Sequence, residues 1–334
     1  MAAVSAHALT ARREIHVAQP FRAARAAVGR PQGLRYKRPP AIPRGALDRS
    51  WFSCFRVFVA VIALLATSAA PHAAAARVIS IIPATTEMLF AMGAGDRLVG
   101  VGSYDRFPPE VDRLPRVGAL LDPNVERILA LRPDLVILYG TQADLRQQLE
   151  RAHVPYYPYL HRGLADITQT IRSLGARVGV EAAGNALADR IERQLADIRS
   201  RTGSSTRPKT LLVFGREPGT LRNIDASGGV GFLHDMVEAA GGANVLADVK
   251  QQSVMLSTEL VLARAPEVII ELRYTRGDAT APADLRAWDA LPAIPAVKNH
   301  RVFMLQGEEF VVPGPRVVVA TERLAKTLHP ELFK

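Results

Sequence analysis

A twelve-residue phrase occurs twice in this chain, as Glu126-Arg-Ile-Leu-Ala-Leu-Arg-Pro133-Asp-Leu-Val-Ile137 and as Glu259-Leu-Val-Leu-Ala-Arg-Ala-Pro266-Glu-Val-Ile-Ile270. Each copy reads as a helix start, a short amphipathic helix, a proline stop and a buried strand. Asn124 and Ser257 stand two residues before the glutamates, where a side-chain oxygen can accept a hydrogen bond from an unpaired N–H of the first turn. Glu126 and Glu259 therefore fall near the positive ends of their helices. Recurrence of the unit with the same Glu-to-Pro spacing predicts two lobes of similar α/β construction, each carrying an acid at an equivalent place.

Net charge first suggests a nucleic-acid binder, at +10 for the whole chain. The excess is local: residues 1–76 hold eleven Arg and Lys against Glu14 and Asp48, a net of +9 that leaves the remainder near +1. No phosphate-tracking surface is expected from what is left, so nucleic acid is not an expected partner. Within that stretch an apolar core at about 57–70 follows Arg56 and leads to Ala74-Ala-Ala76, the outline of a signal peptide cleaved after residue 76. The apolar run is shorter than the ~20 residues that span a bilayer. Cys54, the only cysteine, precedes the apolar core, so the part after residue 76 has no thiolate metal site, disulfide or cysteine nucleophile.

From Arg77 onward strand and helix alternate. Strands are expected at 78–82, 98–101, 135–138 and 154–157, with a helix capped by Thr85 and running through Met92 and another at 143–152 between them. Residues 181–202 place Leu187, Ile191, Leu195 and Ile198 on one face of a single long helix. The alternation then resumes, with strands at 210–214 and 302–305 and helices at 232–240 and 316–328. The predicted plan is an N-terminal extension (1–76), an α/β lobe (77–178), a bridging helix (179–203) and a second α/β lobe (204–334). Each lobe is expected to hold a mostly parallel sheet flanked by helices, with a ligand cleft between them.

After residue 76 there is no G-x-S-x-G elbow, P-loop, H-E-x-x-H or G-x-G-x-x-G. Enzymatic readings lose their usual anchors; a hydrolase or metal-dependent enzyme using Asp122, Glu308 or His161 stands as the rival, with no recognisable nucleophile–base pair to support it. The histidines are scattered, and no catalytic residue, cofactor or dedicated metal site is assigned.

Several segments together resemble a known family: Arg77-Val-Ile-Ser-Ile-Ile-Pro83-Ala-Thr-Thr-Glu87, Ser103-Tyr104-Asp-Arg-Phe-Pro108-Pro109, the first repeat from Asn124, and Gly241-Gly-Ala-Asn244-Val. They look like the cobalamin and iron-siderophore class of ABC-transporter periplasmic binding proteins. The resemblance implies two α/β lobes bridged by one rigid helix that permits limited lobe movement, and a soluble periplasmic monomer. Its expected ligand is a metal chelate, cobalamin or a related corrinoid first and a ferric siderophore second. It also implies a partner, an ABC permease dimer with its ATPase, with Glu126 and Glu259 docking against permease arginines. Tyr104 and Tyr139 resemble cobalamin-contacting aromatics of the family, and Glu308 and Arg316 its polar cleft residues. Leu120 and Ser253 replace two tryptophans of the cobalamin-binding members, and no tyrosine stands at 119–121, where a haem-binding member would place its ligand. The segment from Phe214 to Arg222 is expected to bring Arg216 or Arg222 toward an anionic chelate.

Overall fold

The computed structural model describes residues 74–273 and 284–333. The expected signal-peptide core at 57–70 lies outside them. In the first lobe β1 (Val78–Ser80), α1 (Pro83–Ala91), β2 (Leu98–Val101), α2 (Val125–Ala130), β3 (Leu135–Tyr139), α3 (Ala143–Arg151), β4 (Tyr156–Tyr159) and α4 (Leu164–Arg177) follow in order. The strands form one sheet, β2-β1-β3-β4, in which every pairing is parallel. A parallel sheet is covered on both faces, and Val78, Ile79 and all of Leu135–Leu138 are accordingly fully buried. Thr85 does not cap α1. Pro83 opens that helix, where its missing N–H is no loss, and the Thr85 hydroxyl instead donates to the Ile82 carbonyl at 3.0 Å.

Helix α5 (Glu181–Thr202) is a single run of 22 residues, about 33 Å long at 1.5 Å per residue. Leu187, Ile191, Leu195 and Ile198 are buried along one face, as their spacing predicts. It lies close against α4 at a pair of glycines: a Cβ on Gly184 would stand 3.1 Å from the Ile171 carbonyl and 3.2 Å from the Gly175 Cα.

The second lobe contains β5 (Lys209–Gly215), β6 (Ile224–Ser227), α6 (Phe232–Ala239), β7 (Ala243–Asn244), β8 (Ser253–Leu256), α7 (Thr258–Arg264), β9 (Val268–Arg273), α8 (Pro295–Lys298), β10 (Val302–Gln306) and α9 (Val317–Leu328). Its sheet runs β10-β9-β5-β6-β8, with β7 beside β5. The β10–β9–β5 half is parallel, but β6 pairs antiparallel with both β5 and β8. The sheet is therefore mixed. Residues 216–223 are too few for a crossover helix, so the chain reverses beside the strand it has just left.

Both repeats fold as their spacing predicts. The Asn124 side-chain oxygen accepts from the Arg127 N–H at 2.8 Å, and Ser257 Oγ accepts from the Leu260 N–H at 3.3 Å. After both helices a non-glycine residue adopts a left-handed conformation immediately before the proline, Arg132 with φ 47° and Ala265 with φ 45°. One apolar cluster continues from Ile137 through Leu187, Ile191 and Leu195 to Ile270 and Leu324, so the two lobes and the bridging helix share a core. A smaller cluster surrounds Trp288.

Two substitutions test this packing. Gly184→Val should lower the unfolding free energy by about 1–3 kcal/mol, because the added branch meets backbone on α4. Ala265→Gly should raise it by up to about 1 kcal/mol by relieving left-handed strain. Urea denaturation followed by circular dichroism measures both.

Candidate functional site

Open parallel sheets offer ligands the crevice beyond the carboxyl ends of their strands, and the first lobe does so here. Ile81 and Ile82 follow β1, Tyr139 ends β3 and Tyr159 ends β4. With Tyr104, Leu120 and His161 they line a cavity of about 220 Å³, closed from the second lobe by Val311, Val312 and Pro313. A larger hollow of about 660 Å³ also has Leu120 and Tyr139 in its wall, together with Leu121, Gln142 and Gln148. Gln142 braces that wall, donating to the Leu120 carbonyl at 2.6 Å and accepting from the Tyr139 N–H at 2.8 Å.

The back of the cleft is an aromatic cluster. Tyr139 stands edge-on to Tyr159 at 5.9 Å between ring centroids and to His161 at 5.8 Å. His161 is also edge-on to Phe232, the first residue of α6, at 5.8 Å. The Tyr139 hydroxyl lies 3.2 Å from His161 Nδ1. Burial lowers the pKa of His161, which keeps its imidazole neutral at pH 7, and burial raises Tyr139 and Tyr159. The Tyr159 hydroxyl is buried with no hydrogen-bond partner among the described residues. The second lobe holds this loop in place: Gln252 donates to the His161 carbonyl at 3.3 Å, and the Asp235 carboxylate accepts from the Leu164 N–H at 2.9 Å.

The expected ligand residues divide. Tyr104 and Tyr139 line the cavity. Phe214 is half-buried and packs against the main core. Arg216 does not face a chelate, contrary to expectation: its side chain is 4% exposed and its Nε donates to Glu271 at 2.5 Å. Its other nitrogens reach the carbonyls of Glu217, Thr220 and Asp284, while Trp288 donates to the same Glu271 at 2.6 Å. Arg216 is the buried hub of the second lobe. Arg316 joins the lobes instead, forming a bidentate pair with Glu87 of α1 at 2.5 and 2.9 Å and lying 4.2 Å above the Phe107 ring. Glu308 is a looser third member, 3.7 Å from Arg316. Glu87 is nearly wholly buried, and that desolvation raises its pKa against the pull of Arg316.

Sequence reasoning missed Tyr159 and His161 as cleft residues. Their only signal is the aromatic run Tyr156-Tyr-Pro-Tyr-Leu-His161, whose alternation does not tell which rings face the cavity. Glu126 and Glu259 both project exposed from the first turns of their helices, and neither forms an ion pair among the described residues. A hydrogen bond from Ser257 holds the Glu259 carboxyl below its ordinary range.

Two α/β lobes on one long helix, with a cavity at their junction, define a receptor that encloses its ligand between the lobes. The chain belongs to the periplasmic binding protein family, whose model matches residues 78–309. It is 27% identical over 263 residues to an uncharacterized ABC transporter substrate-binding lipoprotein of Bacillus subtilis, covering 77% of this chain and 81% of that protein. It is similar to the periplasmic vitamin B12 binding protein of Vibrio cholerae, with 28% identity, a TM-score of 0.65 and coverage of 78% and 98% of the two chains. It is also similar to a periplasmic heme-binding protein of Roseiflexus, with 27% identity, a TM-score of 0.65 and coverage of 77% and 98%. Among the described residues no helix is long and apolar enough to cross a membrane.

The loop that carries Tyr104 into the cleft rests on Asp105, which is 1% exposed. Burial pushes its pKa up to about 7, from an ordinary 3.8. Between those values the folded protein holds a proton that the unfolded chain has released. Stability should therefore fall as pH rises from 4 toward 7, by at most about 1.4 kcal/mol per pH unit. Asp105→Asn should flatten that dependence and be the more stable form at pH 8, as urea midpoints at pH 5 and pH 8 would report.

Proposed function

We propose that this chain is the soluble periplasmic receptor of an ABC importer, holding a metal-centred macrocycle between its lobes, with a corrinoid as the first candidate. The observation that carries the reading is the lining of the interlobe cavity together with the larger hollow that shares Leu120 and Tyr139 with it: aromatic and aliphatic side chains with a few polar groups, and no Arg or Lys among the described residues of either. Flat aromatic faces and a few polar groups suit a large planar ligand. A ferric siderophore of anionic character would be better served by cations, and Arg216 is already committed to Glu271, so that ligand stands second. The similar proteins named for vitamin B12 and for heme support a macrocycle. The protein performs no reaction of its own in this role and acts as a monomer. An importer of this kind draws its energy from the ATPase of the transporter, and the receptor contributes differential affinity.

Delivery is assigned to Glu126 and Glu259. They occupy equivalent first-turn positions in the two lobes, so two matching basic sites on a two-fold symmetric permease can engage both at once. As mere helix complements they would contribute under about 1 kcal/mol each.

Calorimetric titration of the exported protein with cyanocobalamin, aquacobalamin, hemin and a ferric hydroxamate tests the cargo. Saturable binding of a macrocycle with little or none of the hydroxamate is expected; preference for the hydroxamate would reverse the order of candidates, and no binding at all would remove the chelate reading. The double variant Glu126→Ala, Glu259→Ala should keep its affinity in the same titration and lose uptake in cells. Normal uptake would leave both residues as helix caps only.

A further inference from the structure

We infer that Asp235 is the latch of the closed lobes, a second-lobe carboxylate that caps a first-lobe helix and lets go when the cleft opens to admit or release cargo, an inference that rests on the receptor reading above.

Helix α4 does not cap itself at Gly163. The first N–H groups of a helix have no partner within it, and the residue placed to supply one is Gly163, which has no side chain to do so. The acceptor comes from the other lobe: the Asp235 carboxylate takes the Leu164 N–H at 2.9 Å, across 71 residues of sequence. Asp235 itself stands in the first turn of α6, which opens at Gly231 and likewise has no side-chain cap. One carboxylate therefore complements the positive ends of two helices, one from each lobe. Those ends are close together, since Phe232 at the start of α6 lies edge-on to His161, three residues before Leu164. No cation pairs with Asp235 among the described residues, so the helix ends are its counter-charge.

Gly163 is shaped to this contact. Its backbone is fully extended, with φ −171° and ψ −176°, a conformation open to any residue, so backbone geometry does not call for glycine there. A Cβ at this position would collide with Asp235 Oδ2, and beyond its chain neighbours it would meet no other residue within 4 Å. Gln252, also from the second lobe, adds a parallel tie to the His161 carbonyl at 3.3 Å. A hydrogen bond is lost when donor and acceptor part by ~1 Å. The latch can therefore yield within the small lobe movement that α5 and the shared core allow.

Nuclear magnetic resonance on the exported protein without cargo tests the latch, with residual dipolar couplings reading the relative orientation of the lobes and hydrogen exchange reading the protection of the Leu164 amide. Asp235→Ala should shift the interlobe orientation and speed Leu164 exchange by about fivefold or more, the factor to which loss of an ordinary cap corresponds. Asp235→Asn, which keeps an acceptor and loses the charge, should fall between the two. Gly163→Ala should give the same shift by displacing the carboxylate, and adding it to Asp235→Ala should change nothing further, because the clash is then gone. An interlobe orientation unchanged in Asp235→Ala, with only the urea midpoint lowered, would make Asp235 a local cap and overturn the latch. So would a Gly163→Ala effect that persists at full size without the carboxylate. Either result would leave the receptor reading standing, which the titrations with cyanocobalamin, aquacobalamin, hemin and a ferric hydroxamate judge separately.

Discussion

The apolar stripe of α5 is the constraint on which the arrangement of this molecule depends. Leu187, Ile191, Leu195 and Ile198 are buried between the two lobes within one continuous apolar cluster. At about 1.5–3 kcal/mol for each fully buried aliphatic side chain, the stripe contributes on the order of 10 kcal/mol. A connection of that strength does not hinge freely. The glycine contact at Gly175 and Gly184 brings α5 against α4, and wide opening of the lobes would expose part of the shared core.

Polar groups around the cleft are committed to holding this frame. Arg216 and Glu271 form a buried pair with Trp288 hydrogen-bonded to it, and Arg316 ties α9 to Glu87 across the lobes. Removing one partner of such a pair leaves an uncompensated buried charge, which is far more damaging than losing a surface contact. Commitment of these side chains leaves the interlobe cavity apolar and aromatic. The proposal of a planar macrocycle ahead of an anionic chelate rests on that division of labour.

Much of the fold was legible in the sequence because its signals are local. Periodicity located α5 at residues 181–202, and the caps at Asn124 and Ser257 were readable because capping involves neighbours three residues apart. Thr85 was misleading: Ser and Thr suit a cap, but Pro83 starts the helix two residues earlier. The antiparallel strands β6 and β8 were not legible, since pairing direction depends on the path of the loop at 216–223 rather than on the strands' own composition.

The sequence by itself determined two lobes, the bridging helix and an exposed acid at matching places on each lobe, because spacing along the chain sets which face of an element a residue occupies. Tertiary structure decided the cleft. Tyr139, Tyr159 and His161 meet only because adjacent parallel strands end together, and Phe232 reaches His161 only because α5 and the shared core hold the second lobe against the first. Whether Arg216 faces a ligand or Glu271 is likewise set by a partner 55 residues away, a distance over which periodicity carries no information.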